Sequence, residues 1–220
     1  AGAVRVRLPA CRGLRAEADI SAAAHLLVLL VRAFIADATS ALPLLQPDAV
    51  ISTAEYLNRM AAYAGLIADA SGATSAHGGR WRTDLLNAVP VHAIGKLAVP
   101  DSLLCKTGPL SAVESDLVRR HVDRGAEIVR EVVPGSAGTL FDDVVAAHHE
   151  AWDGSGYPQG TAGTAIPLAA RIVAVAAVFD ALTSSRAWKP AWPIHDAFDE
   201  LLAGAGSRFD PACVSALISS

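Results

Sequence analysis

No stretch of this chain alternates apolar and polar residues for long enough to make a half-buried strand. Apolar residues instead recur at three-and-four spacing through most of its length, as in Leu57, Met60, Ala61, Ala64, Ile67 and Ala68. That single period leaves helix packed on helix as the way to bury the apolar faces. Composition agrees. Hydrophobic residues make up 52% but aromatics only 5%, and Ala, Val and Leu carry much of the apolar content. With charged residues at 18%, a disordered chain is excluded. The 220 residues suffice for one large domain, or one domain with an extension.

Punctuation along the chain divides it into an irregular, Arg-rich segment (1–19), a helical extension (20–52) and a main domain (53–220). Within the extension, 20–36 is strongly apolar. It is interrupted by His25 and Arg32 and falls short of a membrane span, so it reads as an amphipathic or buried helix. A helix is predicted over 53–70, followed by a small, polar loop over 71–79. A third helix carries Leu85, Leu86 and Val89 towards His92, and 95–109 reads mostly as loop. Ser111 with Glu114 is a capping-box pattern opening one long helix through Val132, stopped by Pro134. Further helices are predicted over 139–150, 167–183, 193–203 and 210–218, the last opened by the Asp210-Pro211 pair. A Gly-rich loop fills 153–166.

The formal net charge is -4, so there is no basic excess to neutralise a nucleic-acid polymer. Cys11, Cys105 and Cys213 stand far apart with no CxxC pair, which fits small apolar core residues in a reducing compartment. Of the seven histidines, His25, His77 and His195 read as ordinary core or surface residues. His92, His121, His148 and His149 differ because each lies beside the apolar stripe of its helix. His121 follows Leu117 and Val118 by four and three residues, and His148 follows Val144 and Val145 by the same steps. Several inward imidazoles need partners, and a shared metal ion supplies one. The loop after His149 places Gly154 and Gly156 beside Tyr157 and Pro158, which permits close backbone approach to a ligand.

Taken in order, HAIGKLAVPDSLLCKTGPLS, the RRHVDRGAEIV helix and HHEAWDGSGYPQGTAGTAIPLAARIVAVAAVFDALTSSRAW closely resemble the HD-GYP family. The resemblance runs from about Thr53 to the C-terminus. It implies an all-α, HD-domain-like helical bundle with a GYP loop, in a bacterial cytoplasmic signalling protein. Family members are metal-dependent phosphodiesterases that hydrolyse cyclic di-GMP. By analogy with the family, a sensory or receiver domain is expected upstream of Ala1.

The resemblance also assigns roles. His92, His121, His148 and His149 fall on metal-ligand positions. Lys96, Asp153, Gly154, Gly156, Tyr157, Pro158, Arg171 and Arg186 fall on the ligand-facing set, Lys96 near the scissile phosphate. Four ligand positions are altered: Ala93 and Ala177 stand where the family has Asp, Tyr56 where it has His, and Ser52 where some members have Glu. Two divalent ions about 4 Å apart repel by roughly 16 kcal/mol at an effective dielectric of ~20. Carboxylates offset that repulsion, and neutral imidazoles do not. The expectation is a degenerate HD-GYP domain rather than a working enzyme, acting as a cyclic di-GMP-binding or protein-interaction signalling module. The alternative is a metal-dependent cyclic di-GMP phosphodiesterase with a reduced metal site. The imidazoles are expected to hold either one divalent transition metal (Fe, Mn or Zn) or none. Candidate partners are cyclic di-GMP, other signalling proteins and a second copy of the chain, with no transmembrane segment.

Overall fold

The computed structural model describes residues 54–104, 106–133, 139–185 and 190–220. The expectations for 1–52, Cys105, Pro134 and Arg186 lie outside the described residues. The described chain is an all-α bundle whose one β feature is an isolated bridge between Ala205 and Phe209. Its first helix, α1 (Ala54–Ala70), buries Leu57, Met60, Ala64, Ile67 and Ala68 as their spacing predicts. It packs against α2 (Ala73–Ala88), α7 (Leu168–Thr183) and α9 (Pro211–Ser219). Apolar on most of its surface, α7 buries Ala169, Ala170, Ile172, Val173, Val175, Ala176 and Phe179. A fork from Arg59 ties α1 to α7: Nε donates to Asp180 at 2.6 Å, and Nη2 to the same carboxylate at 3.3 Å and to the Ser184 hydroxyl at 3.0 Å. Asp180 is fully buried, so removing Arg59 would leave its carboxylate without the ion pair that compensates its burial. Cys213 is a buried free thiol in α9, as a small apolar core residue would be.

Three expectations are corrected. The segment 71–79 is mostly helix rather than loop. Gly72, at φ 77, separates α1 from α2, and α2 then runs through Gly78, whose φ of 89 and ψ of 165 kink it. Burial of Ala73 and Leu85 in the core cluster outweighs the weak local helix preference of this stretch. The long helix expected from Ser111 is broken at Arg120 into α4 (Ala112–Arg119) and α5 (His121–Val132). The Ser111–Glu114 capping box does form and opens α4. The segment 95–109 is less irregular than expected. It holds most of a 3-10 turn (Ile94–Ala98) and the single turn α3 (Asp101–Leu104). Then come α6 (Leu140–Ala147) and, after the Gly-rich loop and α7, α8 (Ile194–Ala203).

The 3-10 turn Ile94–Ala98 lies directly on α5. The approach is close enough that a Cβ on Gly95 would collide with the His121 carbonyl oxygen and sit 2.5 Å from the Gly125 nitrogen. A Cβ on Gly125 would come within 2.8 Å of a Val145 methyl. Two glycines thus let one backbone rest on another, which fixes the stretch carrying His92 and Lys96 against the start of α5. Gly95→Ala is expected to lower folding stability by about 3 kcal/mol, because backbone rather than a flexible side chain must give way. Urea denaturation of the variant beside the parent chain measures it.

Candidate metal and ligand site

Three elements bring four histidines to one place. His92 follows the 3-10 turn Val89–Val91, His121 opens α5, and His148 and His149 follow the last turn of α6. Their rings touch in series, with centroids 5.2 Å apart for His92 and His148, 5.7 Å for His121 and His148, 5.1 Å for His121 and His149, and 4.2 Å for His148 and His149. Three of them are held by the same local device. Nδ1 of His92 lies 2.7 Å from the Val89 carbonyl, Nδ1 of His121 lies 2.7 Å from the Val118 carbonyl, and Nδ1 of His148 lies 3.0 Å from the Val144 carbonyl. A carbonyl oxygen only accepts, so each Nδ1 carries the proton and each Nε2 keeps a lone pair.

Nε2 of His121 and Nε2 of His148 are buried with no hydrogen-bond partner. Orphaned buried acceptors cost about 1–3 kcal/mol each unless something fills the space between them. His121, His148 and His149 each offer a ligand atom within 4.8 Å of the others, and among the described residues no carboxylate joins that group. The donor set therefore fits one transition-metal ion on His121, His148 and His149, with the His92 ring alongside. Burial keeps the imidazoles neutral. It pushes His92 down to about 4 and lowers His121 and His148, and the nearby Lys96 cation lowers His92 and His121 further. Although one edge of His149 opens to solvent at the rim, burial of the rest of its ring and the neighbouring His121, His92 and Lys96 push it down to about 3. Tyr56 flanks the pocket, its ring 6.3 Å from that of His92.

The Gly-rich loop grows directly out of this cluster. Buried Glu150 accepts the Gln159 amide at 2.9 Å and the Thr161 amide at 3.1 Å, closing the loop on itself. A Cβ on Gly156 would sit 2.6 Å from the Glu150 carbonyl carbon, so only glycine fits there. Asp153 accepts the Ser155 amide at 2.8 Å within its own turn, and Gly154 adopts φ 84. The Tyr157–Pro158 bond is cis. The Tyr157 ring stacks on His149 with centroids 4.7 Å apart and planes 16° from parallel, and burial pushes its hydroxyl up to about 12. Asp153 N–H donates to the Ser207 carbonyl at 2.8 Å, which docks the loop on the α8–α9 turn.

Lys96 lies half-buried on the Ile94–Ala98 turn, near enough for its charge to act on His92, His121 and His149. Arg171 stands apart from the imidazoles. Its Nη1 pairs with Asp210 at 2.5 Å and its Nε donates to the Ile166 carbonyl at 2.8 Å, joining the loop's end to the N-cap of α9. His77 stacks on Trp81 and His195 lies exposed beside Asp196, as ordinary residues do. Sequence reasoning assigned no role to Glu150, which holds the loop, or to Arg119, whose guanidinium carbon lies 5.2 Å from the Tyr157 ring centroid. The adjacency of Glu150 to the His-His pair was the available signal for the first.

These features define a class. The family model described as HD domain matches residues 43–213, and the chain belongs to that family, on its HD-GYP branch. It is 43% identical over 169 residues to the cyclic di-GMP phosphodiesterase response regulator RpfG of Xanthomonas campestris, across 76% of this chain and 43% of that protein. A cyclic di-GMP phosphodiesterase of Thermotoga maritima is 34% identical over 169 residues, across 76% of this chain and 44% of that one. The chain thus spans less than half the length of these curated relatives. Among solved structures, it resembles the cyclic GMP-AMP-specific phosphodiesterase V-cGAP3 of Vibrio cholerae, with TM-score 0.59 and 19% identity over 89% of this chain and 48% of that one. It also resembles Bd1817, an HDG"Y"P protein of Bdellovibrio bacteriovorus, with TM-score 0.57 and 15% identity over 92% of this chain and 62% of that one. At those identities the two structures share its fold.

The depressed imidazoles set the acid response. Unfolded histidine takes up a proton near pH 6.5, whereas folded His92 resists until about 4. The unfolded state therefore binds more protons across that window, and stability falls as pH falls from about 6.5 towards 4. His92 alone is expected to remove on the order of 3 kcal/mol over this range. Urea midpoints of the metal-free chain at pH 7, 5.5 and 4 measure it.

Proposed function

We propose that this chain is a cyclic-dinucleotide-directed HD-GYP module that holds one divalent transition metal and whose phosphodiester hydrolysis is impaired. The observation that carries the reading is an imidazole cluster joined by no carboxylate among the described residues. Ala93 and Ala177 offer only methyl groups where the family resemblance implies bridging charge. Two divalent ions would repel strongly there with nothing anionic between them, whereas one ion is satisfied by His121, His148 and His149. A bound ion of Fe, Mn or Zn would supply Lewis-acid polarisation of a phosphate oxygen. Lys96 supplies positive charge beside it, and the loop from Asp153 to Pro158, with Gly154, Gly156 and Tyr157, forms the wall a ligand would meet. Arg186 completes the ligand-facing set by family resemblance alone, and Arg171 acts on it through the end of the loop.

In this reading the module works in the bacterial cytoplasm, within a longer signalling protein, and passes the ligand-bound state to a partner protein or a second copy. Its domain is 53–220, with 20–52 as an extension. Among the described residues no helix is long and apolar enough to cross a membrane. A second reading, a working phosphodiesterase with a reduced metal site, draws support from relatives named as cyclic di-GMP and 3'3'-cGAMP-specific phosphodiesterases.

Metal analysis by mass spectrometry on chain purified without chelators, paired with calorimetric titration of cyclic di-GMP and a hydrolysis assay in Mn, Fe or Zn, separates the two. About one ion per chain, with binding heat and little product, is the expected result. Rapid product formation would overturn impairment and establish the second reading. Absence of both metal and heat would leave a helical interaction module. The double variant Ala93→Asp with Ala177→Asp is expected to raise the metal content towards two ions per chain.

A further inference from the structure

We propose that Arg119 is a ligand-contacting residue that grips a phosphate of the bound cyclic dinucleotide from the rim of the imidazole pocket. The proposal rests on the cyclic-dinucleotide reading above. Arg119 is the last residue of α4, two positions before His121, where the expected long helix breaks. The guanidinium carbon lies 5.2 Å from the centroid of Tyr157, which is itself stacked on His149. A cation, a phenol ring and an imidazole of the metal-ligating group therefore follow one another in contact. A cation at the C-terminal end of α4 suits the helix dipole, but the dipole does not place it over Tyr157.

Among the described residues its lack of a carboxylate partner points the same way. Arg59, Arg82, Arg130, Arg171 and Arg208 each pair with a carboxylate. Arg119 is exposed and has no carboxylate partner among the described residues. A guanidinium laid over an aromatic face keeps its N–H donors at its edge, where a fork of two matches two phosphate oxygens. Lys96 supplies a compact charge from the Ile94–Ala98 turn, so the two cations flank the imidazoles from different elements. A ligand with two separated phosphates has a use for both.

The test titrates cyclic di-GMP into the full chain, its Arg119→Ala variant and its Arg119→Lys variant, with metal content and melting temperature measured on each. Arg119→Ala is expected to weaken binding about tenfold, the loss of one charge-assisted pair at a wet rim. Arg119→Lys, which keeps the charge but not the fork, should weaken it about threefold. Metal content and melting temperature should not change. The dependence of affinity on salt should become shallower in Arg119→Ala, because a phosphate contact has gone. Parent and variants binding alike would overturn this proposal and leave the functional reading standing. A parent chain that gives no heat would remove both. A drop in melting temperature or metal content that accounts for the lost affinity would make Arg119 structural and would likewise overturn the proposal.

Discussion

The site depends on one repeated hydrogen bond, an imidazole Nδ1–H donated to a backbone carbonyl three or four residues earlier. His92, His121 and His148 all make it, to Val89, Val118 and Val144. Because the bond is local, each element orients its own ring before the elements meet. It also fixes the tautomer, so the free lone pair is the one on Nε2. When the helices pack, the lone pairs of His121 and His148 are left buried and unpartnered beside His149, with the ring charge suppressed by burial. The cluster is thereby arranged to accept a cation and poorly arranged to accept a proton.

Electrostatics then limits what the cluster can do. Imidazoles satisfy the coordination of one borderline-soft ion without supplying negative charge. The buried carboxylates of the fold are placed elsewhere and are already used. Asp180 braces α1 through Arg59, Asp142 pairs with Arg130, Asp210 caps α9 and holds Arg171, and Glu150 closes the Gly-rich loop. None can be redeployed without loosening the scaffold. The HD-domain fold is therefore kept while, among the described residues, no carboxylate joins the imidazole cluster at its centre.

Loop and cluster form one mechanical unit. Glu150 sits between the His-His pair and the loop, and Tyr157 returns to stack on His149. The far side of the loop is tied to the α8–α9 turn through Asp153 and to α9 through Arg171. A ligand that moved Tyr157 would push on His149 in one direction and on the C-terminal helix in the other. The loop thus connects the imidazole cluster to the C-terminal helices through contacts at both of its ends.

Much of this was legible in the sequence. Three-and-four spacing located the core face of α1, Ser111 with Glu114 marked the start of α4, and Asp210-Pro211 marked the start of α9, because these signals act within one or two turns of chain. The four histidines and the Gly-rich loop were legible for the same reason: each lies next to its own helix stripe or turn residues. Long-range packing decided the rest. Helix formation over 71–79 came from burial against α1, which no local pattern encodes. Gly95 and Gly125 are thirty residues apart and acquire meaning only where their backbones touch. Arg171, which the family resemblance puts on the ligand-facing set, is taken up by Asp210 from the far end of the chain, and Arg119, to which the sequence assigned no role, lies over Tyr157. The sequence by itself determined which imidazoles lie beside their own helix stripes and which local bonds orient them. Tertiary structure alone decided which charges remain available, because a charge is spent or spared by the neighbour that folding brings to it.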